Sequence, residues 1–275
     1  IDSSGLNEKI AFPKRKFPNK AGIPNYGNTC YLNSTIQVLT CIPKFVNLVS
    51  KSNSDVFKCL SQIFALVLSN TSEESFRPLI ETLLNGLKQD YNMFAIMKQN
   101  DCKELYSILI NKFFTECEEK NFFLIKKNNL FICEKGHDMT KGDEQLFLVI
   151  PPNTKLDSEK CIQDIKGNKT TLELICQECG RMSNTRVLTE SLELPEYLVF
   201  YVADTTNQGR VPKTYIRADE KEYDLFGVIC HYGDQKSGHY IAFTLNEDRE
   251  WIQYNDADVN KEDPDYNHAY MLFYK

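Results

Sequence analysis

Apolar residues recur every three or four positions through the first part of the chain. Leu32, Ile36 and Leu39 share one face of a short predicted helix, which Pro43 closes. The same spacing predicts three more helices, over residues 60–68, 79–87 and 105–113. Residues 1–120 are therefore expected to form a helical lobe.

Beyond residue 120 the pattern changes to short runs rich in β-branched and aromatic residues. Strands are predicted over residues 146–150, 197–203, 223–230, 239–245, 251–254 and 269–274. Hairpin loops are predicted at 231–238 and 246–248, and other loops at 50–55 and 205–208. Residues 121–275 should thus be β-rich, largely an antiparallel meander. Helices followed by strands predict an α+β fold, and 275 residues suit one bilobed domain.

Charge and hydropathy narrow the function classes. The sequence has 32 Lys and Arg against 38 Asp and Glu, and its net charge of −6 argues against a nucleic-acid binder that neutralises phosphates. No apolar run approaches the roughly 18 residues that a membrane-spanning helix needs. We expect neither a nucleic-acid partner nor a membrane partner.

The cysteine content indicates the compartment. Ten cysteines in 275 residues are too sparse for a small disulfide scaffold, and no apolar signal segment opens the sequence. Reduced thiols are expected, and with them an intracellular location in the cytoplasm, the nucleus or both.

Cys30 is a candidate nucleophile because it stands where the first predicted helix begins, after the Asn-rich and Gly-containing residues 22–29. Unpaired backbone N–H groups and the helix dipole favour a thiolate there, and the same N–H groups can receive an oxyanion. The alternative is a buried structural cysteine.

A thiol nucleophile needs a base, and the sequence has only four histidines. His239 opens a predicted strand, so its ring would stand at a strand edge; a histidine that only satisfies backbone groups is the alternative. Asn255 and Asp256 end the next strand, about a hairpin's length later, and either could hold the imidazole in its correct tautomer. Plain turn chemistry is the alternative for this pair.

Five segments together carry a family resemblance. They are residues 22–34 around Cys30, 99–105 (Gln-Asn-Asp-Cys-Lys-Glu-Leu), 231–243 with a Gly-His-Tyr centre, 251–259 and 269–274. In this order they resemble the ubiquitin-specific proteases, which are papain-like cysteine peptidases that remove ubiquitin. The resemblance implies a papain-like fold, with a helical thumb and an antiparallel β palm and fingers, in a single catalytic domain over residues 1–275.

The resemblance also implies catalytic roles. Cys30 would be the nucleophile, His239 the base and then the acid, and Asn25 an oxyanion donor beside backbone N–H groups. The family usually has Asp-Asp where this chain has Asn255-Asp256. Asn255 would accept the Nδ1 proton of the imidazole without supplying charge, so Asp256 is expected to stabilise part of the imidazolium charge.

Four further residues would contact the substrate. By the resemblance, Asp101 and Glu104 lie along a channel for the ubiquitin tail, which is basic before its final Gly-Gly, so their carboxylates could pair with its arginines. His231 and Tyr240 would narrow the channel so that it admits only Gly-Gly. The Asp-x-x-Glu spacing before an apolar run also predicts a helix capping box, and Tyr240 could instead belong to the core.

A zinc site is a further expectation. Cys176 and Cys179 form a C-x-x-C pair like those that hold a structural zinc in the fingers of many family members. The partner pair is altered, since Gly136 stands three residues after Cys133 where a cysteine would be expected, and His137 follows it. A Cys3His site is one interpretation and two leftover cysteines are the other. No cofactor is implied for catalysis.

Taken together, the motifs imply a deubiquitinase that hydrolyses the bond after the C-terminal glycine of ubiquitin. Its partners would be ubiquitin and ubiquitinated proteins, and its catalytic domain would be monomeric. Two alternatives stay open: a catalytically silent ubiquitin-binding scaffold and a protease for another ubiquitin-like modifier.

Overall fold

The helices of the first half pack by the apolar faces that the sequence predicts. The computed structural model describes residues 20–69, 75–92, 94–95, 97–152, 156–203, 211–234 and 238–275. Five helices precede the first strand of this part: α1 (Cys30–Leu39), α2 (Pro43–Val49), α3 (Asp55–Ser69), α4 (Phe76–Asp90) and α5 (Cys102–Glu116). The four predicted helices lie within α1, α3, α4 and α5.

The hydrophobic pattern does not predict α2. Pro43 stands at its first turn, where the fixed φ of proline and its missing N–H suit the start of a helix. Pro43 therefore opens a helix, in addition to following the one that ends at Leu39. A seven-residue helix is too short to show a clear period of 3.6.

Twelve strands lie in the described part of the chain. They are β1 (Ile125–Ile132), β2 (Asp138–Gln145), β3 (Leu148–Ile150), β4 (Lys169–Cys176), β5 (Arg181–Glu193), β6 (Leu198–Val202), β7 (Tyr215–Ala218), β8 (Lys221–Gly233), β9 (Gly238–Leu245), β10 (Trp251–Asn255), β11 (Asp258–Lys261) and β12 (Ala269–Tyr274). Helix α6 (Ser158–Lys166), which the sequence does not predict, and a 3₁₀ turn (Tyr266–His268) complete the elements.

The larger sheet has the strand order β11-β10-β9-β8-β12-β6-β3, with β7 paired to β8. Strands β8 to β11 form the expected antiparallel meander, whereas β3 pairs with β6 in parallel. The expected loop over 231–238 is too long, because the ladder continues through Tyr232 opposite His239 to Gly233 opposite Gly238. The predicted loop at 205–208 lies outside the described residues.

The hydrophobic pattern does not predict the strands of a second sheet, which has the order β2-β1-β5-β4, although the family resemblance implies β fingers. Most residues of β2 and β4 are exposed. Strands with little burial lack the alternation of apolar and polar residues on which strand prediction depends. The long antiparallel pairings of β1 with β5 and of β4 with β5 hold this sheet together.

Helix α1 lies in the core, against α5 and strand β9, and all ten of its residues are buried. Aromatic contacts join the helices to the sheet, since the ring of Tyr106 in α5 lies 5.7 Å from that of Phe273 in β12. The chain thus brings the start of α1 directly against the strand that begins at Gly238. No helix of the described residues is long and apolar enough to cross a membrane.

Candidate active site

Cys30 is the first residue of α1, and only 3% of it is exposed. Thr29 precedes it and accepts backbone hydrogen bonds from Leu32 and Asn33, which start the helix. The first N–H groups of a helix have no partner within it, so the N–H of Cys30 is free to donate to a bound group. The thiol therefore lies at the positive end of a buried helix.

His239 faces this thiol from strand β9. Its Nε2 lies 2.6 Å from Oδ1 of Asn255, the last residue of β10. The hydrogen bond with Cys30 is the largest cause that raises the pKa of His239, to about 9; Asn255 and the charge of Asp256 add to it, against a partial desolvation that lowers it. The arrangement thus favours an imidazolium beside the sulfur.

This geometry corrects the expected use of the ring nitrogens. The resemblance places Asn255 at Nδ1 of His239, whereas in the structure Asn255 Oδ1 accepts from Nε2. Nδ1 is therefore left for Cys30. The antiparallel pairing of β9 with β10 brings Asn255 to one edge of the ring, while α1 approaches the other edge. The expected trio of thiol, imidazole and amide is nevertheless brought together.

Asp256 supports two amide side chains and lies near the imidazole. Its Oδ2 accepts from Nδ2 of Asn25 at 2.9 Å, and its Oδ1 accepts from Nδ2 of Asn33 at 2.7 Å. Its Oδ2 is 3.9 Å from Nε2 of His239, close enough for a charge interaction but too long for a hydrogen bond. A left-handed backbone, with φ of 52°, places this carboxylate in the turn after β10.

The amide of Asn25 is oriented from both ends. Its Oδ1 accepts from the backbone N–H groups of Gly27 and Thr29, at 3.0 and 3.1 Å, and one Nδ2 hydrogen is given to Asp256. An NH2 group has two hydrogens, so one remains to donate. A donor held in this way beside the start of α1 is what an oxyanion requires.

Asn33 has no role in the sequence-based interpretation, although it lies in one of the segments that carry the resemblance. It is 2% exposed, one turn after Cys30 on the same side of α1. Its Nδ2 also donates to the backbone oxygens of Ile23 and Pro24. The sequence carries no local signal for this role, because Ser34, Thr35 and Gln37 make α1 polar at several other positions.

Asp101 and Glu104 lie at the start of α5, where both predicted roles of the pair can be compared. Asp101 caps the helix, because its Oδ1 accepts from the N–H of Lys103 at 2.7 Å; its Oδ2 accepts from the hydroxyl of Tyr270 at 2.6 Å. Glu104 is exposed in the first turn. The carboxylate of Asp101 thus accepts hydrogen bonds from within the protein, whereas the carboxylate of Glu104 faces solvent.

His231 and Tyr240 are nearly buried, at 9% and 5% exposure, and their rings lie 4.4 Å apart. Both also contact the ring of Tyr270. Burial lowers the pKa of His231, so this histidine is favoured in its neutral form. Both side chains therefore have little surface open to a substrate.

The four expected metal ligands meet at the end of the smaller sheet. The ligand atoms of Cys133, His137, Cys176 and Cys179 all lie within 4.8 Å of one another. Sγ of Cys133 is 3.9 Å from Sγ of Cys179, which in turn is 3.2 Å from Nδ1 of His137. Tetrahedral zinc with Zn–S bonds near 2.3 Å separates its sulfurs by roughly 3.8 Å, so this set can hold a structural zinc ion.

A thiol at a helix start, an imidazole bonded to it and an amide oxygen on the far ring nitrogen define a papain-like cysteine peptidase. Known proteins agree with this class. The sequence profile of the family described as ubiquitin carboxyl-terminal hydrolase matches residues 21–274, and the chain belongs to this family. It is a cysteine-type deubiquitinase.

Curated relatives cover most of the chain at low identity. A probable ubiquitin carboxyl-terminal hydrolase 16 of Schizosaccharomyces pombe is 21% identical over 97% of this chain and 71% of its own. Ubiquitin carboxyl-terminal hydrolase 8 of Saccharomyces cerevisiae is 23% identical over 92% of this chain and 70% of its own. The Ubl carboxyl-terminal hydrolase 18 of Homo sapiens is 23% identical over 86% of this chain and 76% of its own.

The fold is also that of a solved structure, the SAGA DUB module of Ubp8, Sgf11, Sus1 and Sgf73 bound to ubiquitin aldehyde. The TM-score is 0.72 and the identity 20%, over 94% of this chain and 70% of that chain. The α+β papain-like architecture expected from the sequence is thereby confirmed.

Proposed function

We propose that the chain hydrolyses the isopeptide or peptide bond after the C-terminal glycine of ubiquitin, with Cys30 as nucleophile and His239 as acid and base. The observation that carries this proposal is the hydrogen-bonded line from Cys30 through His239 to Asn255, at the start of a buried helix. A catalytically silent scaffold would have no need to keep the thiol, the imidazole and the amide within hydrogen-bonding distance of one another.

The first half of the reaction forms a thioester. The Cys30 thiolate attacks the glycine carbonyl carbon, and the electron pair of the C=O bond moves to oxygen. The free hydrogen of Asn25 Nδ2 and the N–H of Cys30 donate to this oxyanion. The electron pair on the oxyanion then re-forms the C=O bond, the C–N bond breaks, and the imidazolium of His239 gives its proton to the leaving amine.

The second half releases ubiquitin. Neutral His239 takes a proton from water, and the resulting hydroxide attacks the thioester carbonyl. The same donors hold the second oxyanion, the C–S bond breaks, and the thiolate and imidazolium are restored. Asn255 keeps the ring plane constant through both halves by accepting from Nε2.

The entrance to the site favours a basic peptide tail. Glu104 is exposed and Asp101 keeps part of its carboxylate accessible, so both can meet the arginines that precede Gly-Gly in ubiquitin. Lys103 lies 3.8 Å from Asp101 Oδ2 and offsets some of this negative charge.

A second candidate is a protease for another ubiquitin-like modifier. It is favoured by the relative named Ubl carboxyl-terminal hydrolase 18 and by the partial neutralisation of Asp101 by Lys103. Both candidates use the same chemistry at Cys30 and differ in the body of the modifier that is bound.

The test is intact mass after mixing the protein with ubiquitin that carries a C-terminal electrophile, beside a second modifier with the same electrophile. We expect a ubiquitin-sized adduct on the wild type and none on Cys30→Ala. Equal labelling by both modifiers would favour the second candidate. Non-covalent binding of ubiquitin without an adduct would favour a scaffold, and light scattering with and without ubiquitin would test the expected monomer.

A further inference from the structure

A short strap, residues 97–101, joins the two halves of the active site. At one end, the N–H of Met97 donates to the backbone oxygen of Gly27 at 2.9 Å, and Nδ2 of Asn28 donates to the backbone oxygen of Met97 at 3.0 Å. Gly27 and Asn28 belong to the loop between Asn25 and Cys30. The strap is therefore bound directly to the loop that carries the nucleophile and the oxyanion donor.

Two residues along, the strap binds the strand of the base. Nε2 of Gln99 donates to the backbone oxygen of Gly238 at 2.5 Å, and Gly238 immediately precedes His239. The strap then ends at Asp101, which caps α5. One segment of five residues thus contacts the nucleophile loop, the base strand and a rigid helix.

The backbone of the strap is strained where it meets the loop. Only five non-glycine residues in the described part have a positive φ, and three of them, Asn28, Met97 and Asp256, lie at this site. Such conformations cost on the order of 1 kcal/mol for ordinary residues and persist where surrounding contacts enforce them. Gly27, with φ of 98°, also leaves the space that the sulfur of Met97 occupies.

Packing does not explain this conformation of Met97, because 72% of the residue is exposed. Its backbone is bound to the loop by two hydrogen bonds, and its sulfur lies against Gly27. We propose that the strap sets the separation of Cys30 from His239, with Met97 and Gln99 as positioning residues that act through the nucleophile loop and the base strand. This inference rests on the proposed roles of Cys30 and His239.

Two substitutions break the strap at its two ends. Gln99→Met keeps an unbranched side chain but removes the donor to Gly238. Met97→Val places a β-branched residue at a left-handed position, whereas Met97→Gly adopts that φ freely and should recover much of what valine loses. Arg249→Val is the matched control, because Arg249 has a φ of 60° in a hairpin turn between β9 and β10.

Steady-state kinetics on a fluorogenic ubiquitin amide should separate positioning from binding. A displacement near 1 Å at a reacting group costs about 100-fold, so Gln99→Met and Met97→Val should lower kcat by roughly that factor with KM almost constant. Arg249→Val should lower the melting temperature without this loss of kcat. A rise in KM with unchanged kcat, or an equal loss of kcat in Arg249→Val, would overturn the proposal.

A second readout needs no substrate. Proton and carbon NMR of the four histidine rings, with His239→Gln for assignment, follows the pKa of His239 directly. We expect this pKa to fall from about 9 towards 6.5 in Gln99→Met, because the hydrogen bond with Cys30 is lost. An unchanged pKa would refute the strap's role, whereas a wild type that fails to cleave ubiquitin would refute only the proposed function.

Discussion

Replacing Asn33 tests whether the Asp256 carboxylate is held by α1. Asn33→Ala removes the hydrogen bond to Asp256 at 2.7 Å and the bond to the backbone oxygen of Ile23 at 3.0 Å. A hydrogen bond to a charged group contributes about 1.5–3 kcal/mol and a neutral one about 1 kcal/mol. Oδ1 of Asn33 is buried without a partner among the described residues, so its removal returns about 1 kcal/mol. The net loss should be about 1.5–3 kcal/mol in the free energy of unfolding.

The substitution should also lower kcat, because Asp256 accepts a hydrogen bond from the oxyanion donor Asn25. An oxyanion donor that is released from its support loses much of its effect, and removing such a donor outright costs about 100- to 1,000-fold in kcat. We expect Asn33→Ala to lower kcat by about 10- to 100-fold. Urea unfolding gives the stability, and a fluorogenic ubiquitin amide gives kcat.

The matched control is Thr35→Val in the same helix. Thr35 is 1% exposed, and its hydroxyl donates only to the backbone oxygen of Tyr31 at 2.8 Å. Its replacement removes a buried hydrogen bond without touching Asp256. If Asn33→Ala were no less stable than Thr35→Val and kept its kcat, the carboxylate would be held by other means and the reasoning would be refuted.

Three further predictions concern acid–base chemistry, the metal site and packing. The pKa of His239 is raised to about 9, so the imidazolium is complete well below that pH and lost above it; kcat/KM measured over a pH series should fall as pH rises through about 9. Cys179→Ser should lower the zinc content measured by mass spectrometry and the melting temperature together, because a tetrahedral site loses a ligand. In Gly22→Ala the added Cβ would lie 2.2 Å from the backbone oxygen of Ala257, so calorimetry should show a loss of about 1–3 kcal/mol in the free energy of unfolding. In Gly142→Ala the added Cβ would lie 3.3 Å from its nearest neighbour, so the loss should be far smaller.

The reacting groups could be predicted from the sequence because each is marked locally. Cys30 begins a helix, His239 is the second residue of a strand, and Asn255 ends the next strand of the same meander. Antiparallel neighbours bring such ends together at one edge of a sheet. The choice of ring nitrogen could not be predicted, because it depends on the side from which α1 approaches β9.

The support of these groups was beyond local reasoning. Asn33 and Asp256 are separated by 223 positions, and Gln99 and Gly238 by 139. No periodicity links residues across such distances, and each taken alone is an ordinary amide, carboxylate or glycine. The hydrophobic pattern missed the strands of the smaller sheet for a different reason, since exposed strands lack alternation. The family resemblance still implies β fingers, and the spacing of Cys133, His137, Cys176 and Cys179 marks the end of this sheet.

The site divides orientation and charge between two neighbouring residues. Neutral Asn255 accepts from His239 at 2.6 Å and sets the ring plane, while the charge comes from Asp256 at 3.9 Å. A carboxylate at that distance still favours imidazolium, yet its oxygens remain free to accept from Asn25 and Asn33. Because one turn carries both residues, the base and the oxyanion donor are positioned by the same few atoms. A displacement of this turn should therefore weaken proton transfer and oxyanion stabilisation together.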